Sequence, residues 1–282
     1  MRLFLLTTLT MVAFAANSVL NRLALDGGET GPASFALIRL VAGAVMLMAL
    51  VARRQGGLAP VARWPGRAGP GMLALYVLGF SFAYVTLGAG VGALILFGGV
   101  QVTMFAGAVL ARETIPVQRW LGAGLSFAGL GYLMWPAGGT APDLIGAALM
   151  AAAALGWGIY SLIGRGARDP LGATAANFLW AAPVGVLVWV ILPDSVDAAG
   201  AGLAVLSGAI TSGLGYALWY TVLPGLGASR AAVAQLTVPV IAIAGGVVFL
   251  GEELNLRVVL ASIMVLGGVG LANYAFTGRP RR

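Results

Sequence analysis

Long apolar runs separated by short polar connections recur along the whole chain. A membrane-spanning helix needs about 20 mainly apolar residues to cross ~30 Å of hydrocarbon. Ten such runs fit the sequence, at Leu3–Leu20, Gly31–Val51, Gly71–Leu87, Val91–Ala111, Val117–Trp135, Leu144–Gly164, Leu171–Leu192, Gly202–Val222, Arg230–Leu250 and Leu256–Phe276. The pattern predicts an all-α integral membrane protein with ten transmembrane helices. The longest predicted connection is the loop from Ala52 to Pro70.

The composition excludes most other classes of protein and of functional site. Sixty per cent of the residues are hydrophobic and 9% are charged, whereas soluble domains are typically about 25% charged. The basic residues are all arginines and are spread between the apolar runs, which argues against a nucleic-acid-binding patch and a nucleic-acid partner. Lysine, cysteine and histidine do not occur, so Cys/His zinc sites, a Schiff-base lysine and a Walker-type loop are excluded. We therefore expect no cofactor and no metal.

The arginines predict the orientation, because positively charged short loops stay in the cytoplasm. With a cytoplasmic N-terminus, Arg22 and Arg257 fall outside. The inside collects Arg2, Arg53, Arg54, Arg63, Arg67, Arg112, Arg119, Arg165, Arg168, Arg230, Arg279, Arg281 and Arg282. Both termini are predicted to be cytoplasmic, in the inner membrane of a bacterium. A cleavable signal peptide over the first run is the alternative.

The two halves of the chain resemble each other. Residues 14–22 (FAANSVLNR) match residues 157–165 (WGIYSLIGR), and the turn containing Glu113 matches the turn containing Glu252. The first repeat is predicted at 1–139 and the second at 140–282. Five spans in each half is an odd number, so the repeats are inverted in the membrane, and transporters built this way bind substrate near the midplane. Shared Ala/Gly/Leu-rich composition is the alternative explanation.

With these features the sequence resembles the drug/metabolite transporter superfamily, EamA type. The resemblance rests on the ten spans, on the duplicated Gly/Ala-rich helix that leads to Glu113 or Glu252, and on Pro239 in the ninth span. The first repeat departs from the pattern, since Val100 stands where the second has Pro239. The aromatic-rich spans look most like the bacterial amino-acid exporter branch.

Polar and aromatic residues inside the spans are the candidate substrate ligands, because lipid tails offer polar groups no partner. Tyr76, Phe80 and Tyr84 form a stripe at helical spacing, as do Ser212, Tyr216 and Tyr220. The predicted substrate-binding set is Asn17, Tyr84, Gln101, Trp157, Tyr160, Tyr216, Trp219 and Gln235. Packing of the aromatic stripes and helix–helix hydrogen bonding by the amides are the structural alternatives.

Three residues are predicted as hinges. Pro239 lacks an amide hydrogen and frees a carbonyl in the ninth span, and Gly98 and Gly99 take the corresponding place in the fourth. Close helix packing explains the glycines equally well. Arg39 is the one charge deep within a predicted span, and it is either a ligand for a substrate carboxylate or a structural residue that snorkels or caps backbone carbonyls.

The sequence favours a secondary transporter that exports small neutral metabolites, amino acids including aromatic ones first, by alternating access. Its predicted partners are this small-molecule substrate and membrane lipid; the oligomeric state is left open, a monomer included. Since no Asp, Glu or His lies inside a predicted span, we expect facilitated transport without ion coupling. The alternatives are a multidrug or other metabolite exporter, a passive channel and, least favoured, a lipid-modifying membrane enzyme.

Overall fold

The structure is a computed structural model that describes residues 1–58, 61, 66–112, 114–135, 141–164 and 167–277. For 227–233 and 273–277 it describes the backbone alone. Glu113 and the arginines Arg63, Arg165, Arg279, Arg281 and Arg282 lie outside the described residues, as does the side chain of Arg230. All regular secondary structure in the described part of the chain is helical.

Five helices are described in the first half. They are α1 (Arg2–Leu25), α2 (Pro32–Gln55), α3 (Ala68–Ala83), α4 (Ala89–Leu110) and α5 (Val117–Met134). Because α2 runs on to Gln55, the connection to α3 is shorter than the predicted Ala52–Pro70 loop. Gly56 ends α2 in the left-handed conformation, with φ of 71°, which glycine adopts at little cost.

The second half begins with α6 (Leu144–Gly164) and α7 (Pro170–Ile191) and ends with α10 (Thr237–Leu250) and α11 (Leu256–Thr277). Between them lies one long helical stretch of three parts. These parts are α8 (Ala198–Val205), a π-helix (Leu206–Leu214) and α9 (Gly215–Gln235).

This stretch corrects the predicted boundary between the eighth and ninth spans. The sequence predicts a connection around residues 223–229, but α9 continues through Pro224 and is interrupted only at Leu236. A proline inside a helix removes one hydrogen bond without ending the helix when neighbouring helices hold it. Pro239 therefore lies in the first turn of α10, where a missing amide hydrogen costs no intrahelical bond, and not in the middle of a continuous helix.

Six described helices are long and apolar enough to cross a membrane by length and composition: α1, α2, α4, α6, α7 and Ala198–Leu226. Three further apolar segments are shorter, at Ala68–Ala83, Thr237–Leu250 and Leu256–Ala272. Large apolar side chains such as Phe4, Ile145 and Val248 are more than 70% exposed on the outside of the helical assembly. The ten predicted runs all fall on helices, whereas the count of ten spans and the inverted repeat stay predictions.

Helices of the two halves approach closely through glycines. A side chain at Gly122 of α5 would collide with the carbonyl of Gly268 in α11, and one at Gly268 would collide with the backbone around Gly122. At the same crossing the Ser126 hydroxyl donates to the Val265 carbonyl at 3.1 Å. Small residues allow such backbone contact, which drives helix association where the hydrophobic effect is absent.

Two carboxylates of the second half cap helices of the first half. Asp194 accepts hydrogen bonds from the backbone amides of Ala33 at 2.8 Å and Ser34 at 2.9 Å, in the first turn of α2. Glu252 accepts from the amide of Ala89 at 2.6 Å, at the start of α4. A negative charge at a helix N-terminus satisfies free amides and complements the helix dipole. These contacts hold the two halves together at this end of the helical assembly.

Candidate functional site

An aromatic cavity lies between helices of both halves. In the observed conformation it is narrow, with a cavity volume of about 20 Å³, which is room for about one water molecule. Aromatic rings dominate its wall, joined by one amide and one hydroxyl side chain. The lining residues are Phe14, Asn17 and Ser18 of α1, Tyr76 and Phe80 of α3, Leu96 and Phe97 of α4, Trp157 of α6 and Tyr216 of α9. A concave, mainly apolar site with a few polar groups is the usual form of a small-molecule site.

Trp157 is the centre of the aromatic wall. Its ring centroid lies 5.0 Å from that of Tyr76, 5.2 Å from that of Tyr216 and 5.6 Å from that of Tyr160. Tyr76 belongs to the first half and Tyr216 to the second, so one indole ring connects the aromatic residues of both.

Tyr160 and Trp219 stand behind this wall. Tyr160 is buried, and its hydroxyl accepts a hydrogen bond from Asn177 at 3.4 Å and lies 3.4 Å from the Thr174 hydroxyl. Trp219 packs against Phe14, with ring centroids 5.9 Å apart. Both residues contact lining residues without lining the cavity themselves.

Asn17 joins the cavity to the π-helix. Its Oδ1 lies 2.6 Å from the Thr211 hydroxyl and accepts a hydrogen bond from Ser207 at 2.8 Å, while Ser212 makes a longer contact of 3.4 Å. No described residue accepts a hydrogen bond from the Asn17 Nδ2 amide. The wider turn of a π-helix places these hydroxyls together on one side, and such segments are frequent at functional sites.

Arg39 of α2 lies directly behind two lining residues. Its side chain is fully buried, with the guanidinium carbon 5.3 Å from the ring centroid of Tyr76 and 4.9 Å from that of Phe80. Its Nη2 donates to the Tyr76 hydroxyl at 3.0 Å and its Nε to Ser212 at 3.3 Å. Nη1 is buried and has no hydrogen-bond partner in the described chain. No carboxylate of the described residues pairs with Arg39.

The structure brings together part of the predicted substrate-binding set. Asn17, Trp157 and Tyr216 line the aromatic cavity, with Tyr160 and Trp219 behind it. Of the two predicted stripes, Tyr76, Phe80 and Tyr216 line the cavity, and the other members lie outside its lining.

Tyr84, Gln101 and Gln235 lie elsewhere. Tyr84 is fully buried; its hydroxyl donates to the Ala89 carbonyl at 3.3 Å, and its ring packs edge-on against Phe80. Gln101 lines a second cavity of about 40 Å³ between α4, α5 and α11, together with Phe105. Gln235 is the last residue of α9 and is partly buried, outside the linings of both cavities.

The predicted hinge glycines lie within an unbroken α4. A side chain at Gly99 would meet Ala154 of α6 at 2.7 Å, and one at Gly98 would meet Leu130 and Val265 at 3.1 Å. This geometry gives the glycines a packing role in the observed conformation. The hinge assignment of Gly98, Gly99 and Pro239 stays a prediction.

Sequence reasoning missed several residues at the cavity. Phe14 and Phe97 line it without belonging to a recognised stripe. Ser207 and Thr211 bond to Asn17, and the cluster of hydroxyl residues in the eighth apolar run is the signal that could have identified them.

Comparisons with known proteins relate the whole chain to a family. Residues 144–274 match the EamA-like transporter family. The chain is 45% identical, over its whole length and 98% of the relative's, to an uncharacterized protein of Pseudomonas aeruginosa. The chain belongs to the EamA-like transporter family. This family is part of the drug/metabolite transporter superfamily, and membership together with the apolar helices indicates a multi-pass membrane protein.

Two further similarities to this EamA-like protein are more distant. An uncharacterized transporter of Archaeoglobus fulgidus is 27% identical over 71% of this chain and 76% of its own. A solved crystal structure aligns over 94% of this chain and 98% of its own at a TM-score of 0.67, with 22% sequence identity. That likeness shows a shared fold.

Proposed function

We propose that this EamA-like transporter exports small neutral organic metabolites, amino acids including aromatic ones first, by alternating access. The observation that carries the proposal is the aromatic cavity built by helices of both halves around Trp157. Movement of one half against the other would open this cavity to either side of the membrane. Its aromatic wall suits an apolar or aromatic side chain, and its amide and hydroxyl groups suit the polar end of an amino acid.

The residues of the predicted substrate-binding set take different parts in this proposal. Asn17, Trp157 and Tyr216 would touch the substrate, and Tyr160 and Trp219 would support the wall. Gln101 at the second cavity and Gln235 at the end of α9 would be met along the path of the substrate, and Tyr84 would maintain the helix end beside Phe80.

The transport cycle is proposed to be facilitative. In the described helices the carboxylates lie at helix ends, where Asp194 and Glu252 are already occupied by backbone amides. A carboxylate that carries a coupling proton across a membrane has to be reachable from both sides at the midplane. An exporter of this kind lets an accumulated metabolite run down its own gradient.

The experiment that tests this function is counterflow. The purified chain is reconstituted in liposomes that are loaded with unlabelled amino acids and diluted into labelled ones. A carrier shows accelerated exchange when substrate is present on the far side, whereas a pore does not. Equal flux with and without internal amino acid, for every member of the panel, would refute the carrier.

The proposed topology has ten spans in two inverted repeats, with both termini in the cytoplasm of a bacterial cell. It places Arg54, at the end of α2, and Val196, before α8, on opposite sides of the membrane. The chain has no cysteine, so Arg54→Cys and Val196→Cys each introduce a unique label. In intact cells an impermeant thiol reagent should modify the cysteine at 196 and spare the one at 54. Labelling of both from outside would contradict the topology.

A further inference from the structure

Arg39 is a buried positive charge for which the described residues supply no negative partner. Its side chain is fully buried, and the ion pair found among the described residues joins Arg22 to Asp26 at the surface. The two groups that accept from Arg39 are the neutral hydroxyls of Tyr76 and Ser212. Charged residues at membrane depth are costly to place there and pair with another group or serve function. No backbone carbonyl of the described chain accepts from Arg39, so the predicted carbonyl-capping role is not what its contacts show.

Several polar groups at and behind the cavity keep a free donor, beside the lining hydroxyls of Ser18 and Tyr216, which can donate or accept. Arg39 Nη1 is a buried donor without a partner, one layer behind the cavity wall. Tyr76 accepts from Arg39, so its own hydroxyl hydrogen stays available to another acceptor. Asn17 uses its oxygen for the π-helix hydroxyls and keeps its Nδ2 amide free. Acceptor oxygens without partners occur on Asn21 and Asn177, which do not line the cavity.

The aromatic faces beside Arg39 are already used by a cation. The guanidinium stands over the rings of Tyr76 and Phe80, both of which line the cavity. A second cation at the same faces would be repelled by the first, whereas an anion would be attracted by Arg39 and bonded by the free donors. The charge of Arg39, for which the described residues supply no negative partner, and the free donors beside it therefore favour the same ligand chemistry, an anion.

We propose that Arg39 is the specificity-determining residue for a carboxylate of the transported substrate, which Tyr76 and Asn17 hydrogen-bond within the aromatic cavity. The proposal rests on the proposed transport function and changes its substrate class, because anionic carboxylic acids join the neutral amino acids and amines are left out. The carboxylate is the required group, and an ammonium is tolerated but not needed. Amino acids and simple carboxylic acids with an apolar side chain are substrates, and the matching amines are not.

The test uses sets of ligands that share one side chain. Phenylalanine, 3-phenylpropanoate and phenethylamine form one set, and leucine, 4-methylpentanoate and 3-methylbutylamine form the other. Binding to the purified full chain in detergent is measured by calorimetry or by intrinsic fluorescence, with chloride and inorganic phosphate as competitors. We expect the two carboxylates of at least one set to bind at least about 10-fold more tightly than the amine, as expected for one hydrogen-bonded charged group.

Variants assign the effect to Arg39. Arg39→Gln should weaken carboxylate binding by about 10- to 100-fold and abolish the preference over the amine. Arg39→Lys should keep part of the preference because it keeps the charge. Arg22→Gln is the matched control, since Arg22 is paired with Asp26 at 3.0 Å away from the cavity and its loss should leave the preference unchanged.

The outcomes separate this inference from the transport proposal. Amines that bind as well as acids, carboxylates that fail to bind, competition by chloride or phosphate at equal strength, or an unchanged preference in Arg39→Gln would overturn the role of Arg39. If the role of Arg39 is merely structural, the Arg39→Gln variant should have a lower unfolding temperature but an unchanged ratio of carboxylate affinity to amine affinity. If the Arg39→Gln variant does not fold, the ratio of carboxylate affinity to amine affinity in the unmodified protein decides whether a carboxylate is required. Counterflow of amines would refute the inference alone, whereas carboxylate binding without any counterflow would refute transport alone.

Discussion

Removing the amide of Asn17 should destabilise the contact between α1 and the π-helix. Asn17→Leu keeps a side chain of similar size but deletes the oxygen that lies 2.8 Å from Ser207 Oγ and 2.6 Å from Thr211 Oγ1. Each short, buried hydrogen bond contributes a net ~0.5–1.5 kcal/mol, so the two together give about 1–3 kcal/mol. The contact from Ser212 at 3.4 Å adds little. Thr211 can turn to the Ser207 carbonyl 3.0 Å away, which places the expected loss toward the lower half of that range.

The assay is a double-mutant cycle on the free energy of unfolding in mixed detergent micelles. Ser207→Ala alone should cost ~0.5–1.5 kcal/mol, because Asn17 still has Thr211 as a donor. In the double variant the two losses should fail to add, by about the value of one hydrogen bond. Additive losses, or an Asn17→Leu variant at least as stable as the original chain, would refute the view that Asn17 holds the π-helix in place.

Three other outcomes follow from the packing, the helix caps and the missing intramembrane acids. Gly122→Val should destabilise the protein by about 1–3 kcal/mol in the same unfolding assay because its side chain meets the backbone of α11, whereas Gly124→Ala, with open space around it, should not. The Thr30 hydroxyl and then the Gly200 amide hold the pKa of Asp197 below its ordinary 3.8, so this carboxylate stabilises the fold above that pH and the stability is lost as the pH falls through the lowered value. Thr30→Val should make the unfolding temperature less sensitive to acid below about pH 4, and an unchanged pH profile would contradict this cause. In liposomes with equal substrate on both sides, an imposed proton or sodium gradient should produce no accumulation; accumulation that an ionophore abolishes would reveal a coupling site.

The helices could be predicted from the sequence because hydrophobic length is a strong signal. The apolar runs of about 20 residues fall on helical segments, although the ninth run is divided between α9 and α10. The continuous helix from Ala198 to Gln235 was harder to predict. Pro224 indicates a helix end in the sequence, but the helix continues through it because the surrounding helices hold it in place. A π-helix depends on local tertiary contacts, here between Asn17 and the hydroxyls of the second half, which no periodicity shows.

The candidate site was predictable where residue type and spacing agreed. Trp157 and Tyr216 belong to recognisable aromatic sets and line the cavity. Gln101 lies near the middle of its run but one turn, about 6 Å, beyond Phe97, and that displacement moves it to the second cavity. Depth along a helix and the neighbours at that depth are properties of the assembled helices, so the sequence could place Gln101 on a face but not in a cavity.

Counterflow with a cavity variant tests the central claim most directly. Trp157→Ala removes the ring that joins the aromatic residues of both halves, while Trp189→Ala, a partly exposed tryptophan of α7 outside the cavity lining, is the matched control. In liposomes with equal amounts of folded protein, the account predicts that Trp157→Ala loses amino-acid counterflow and that Trp189→Ala retains it. Equal counterflow by the two variants would contradict a substrate site in the aromatic cavity.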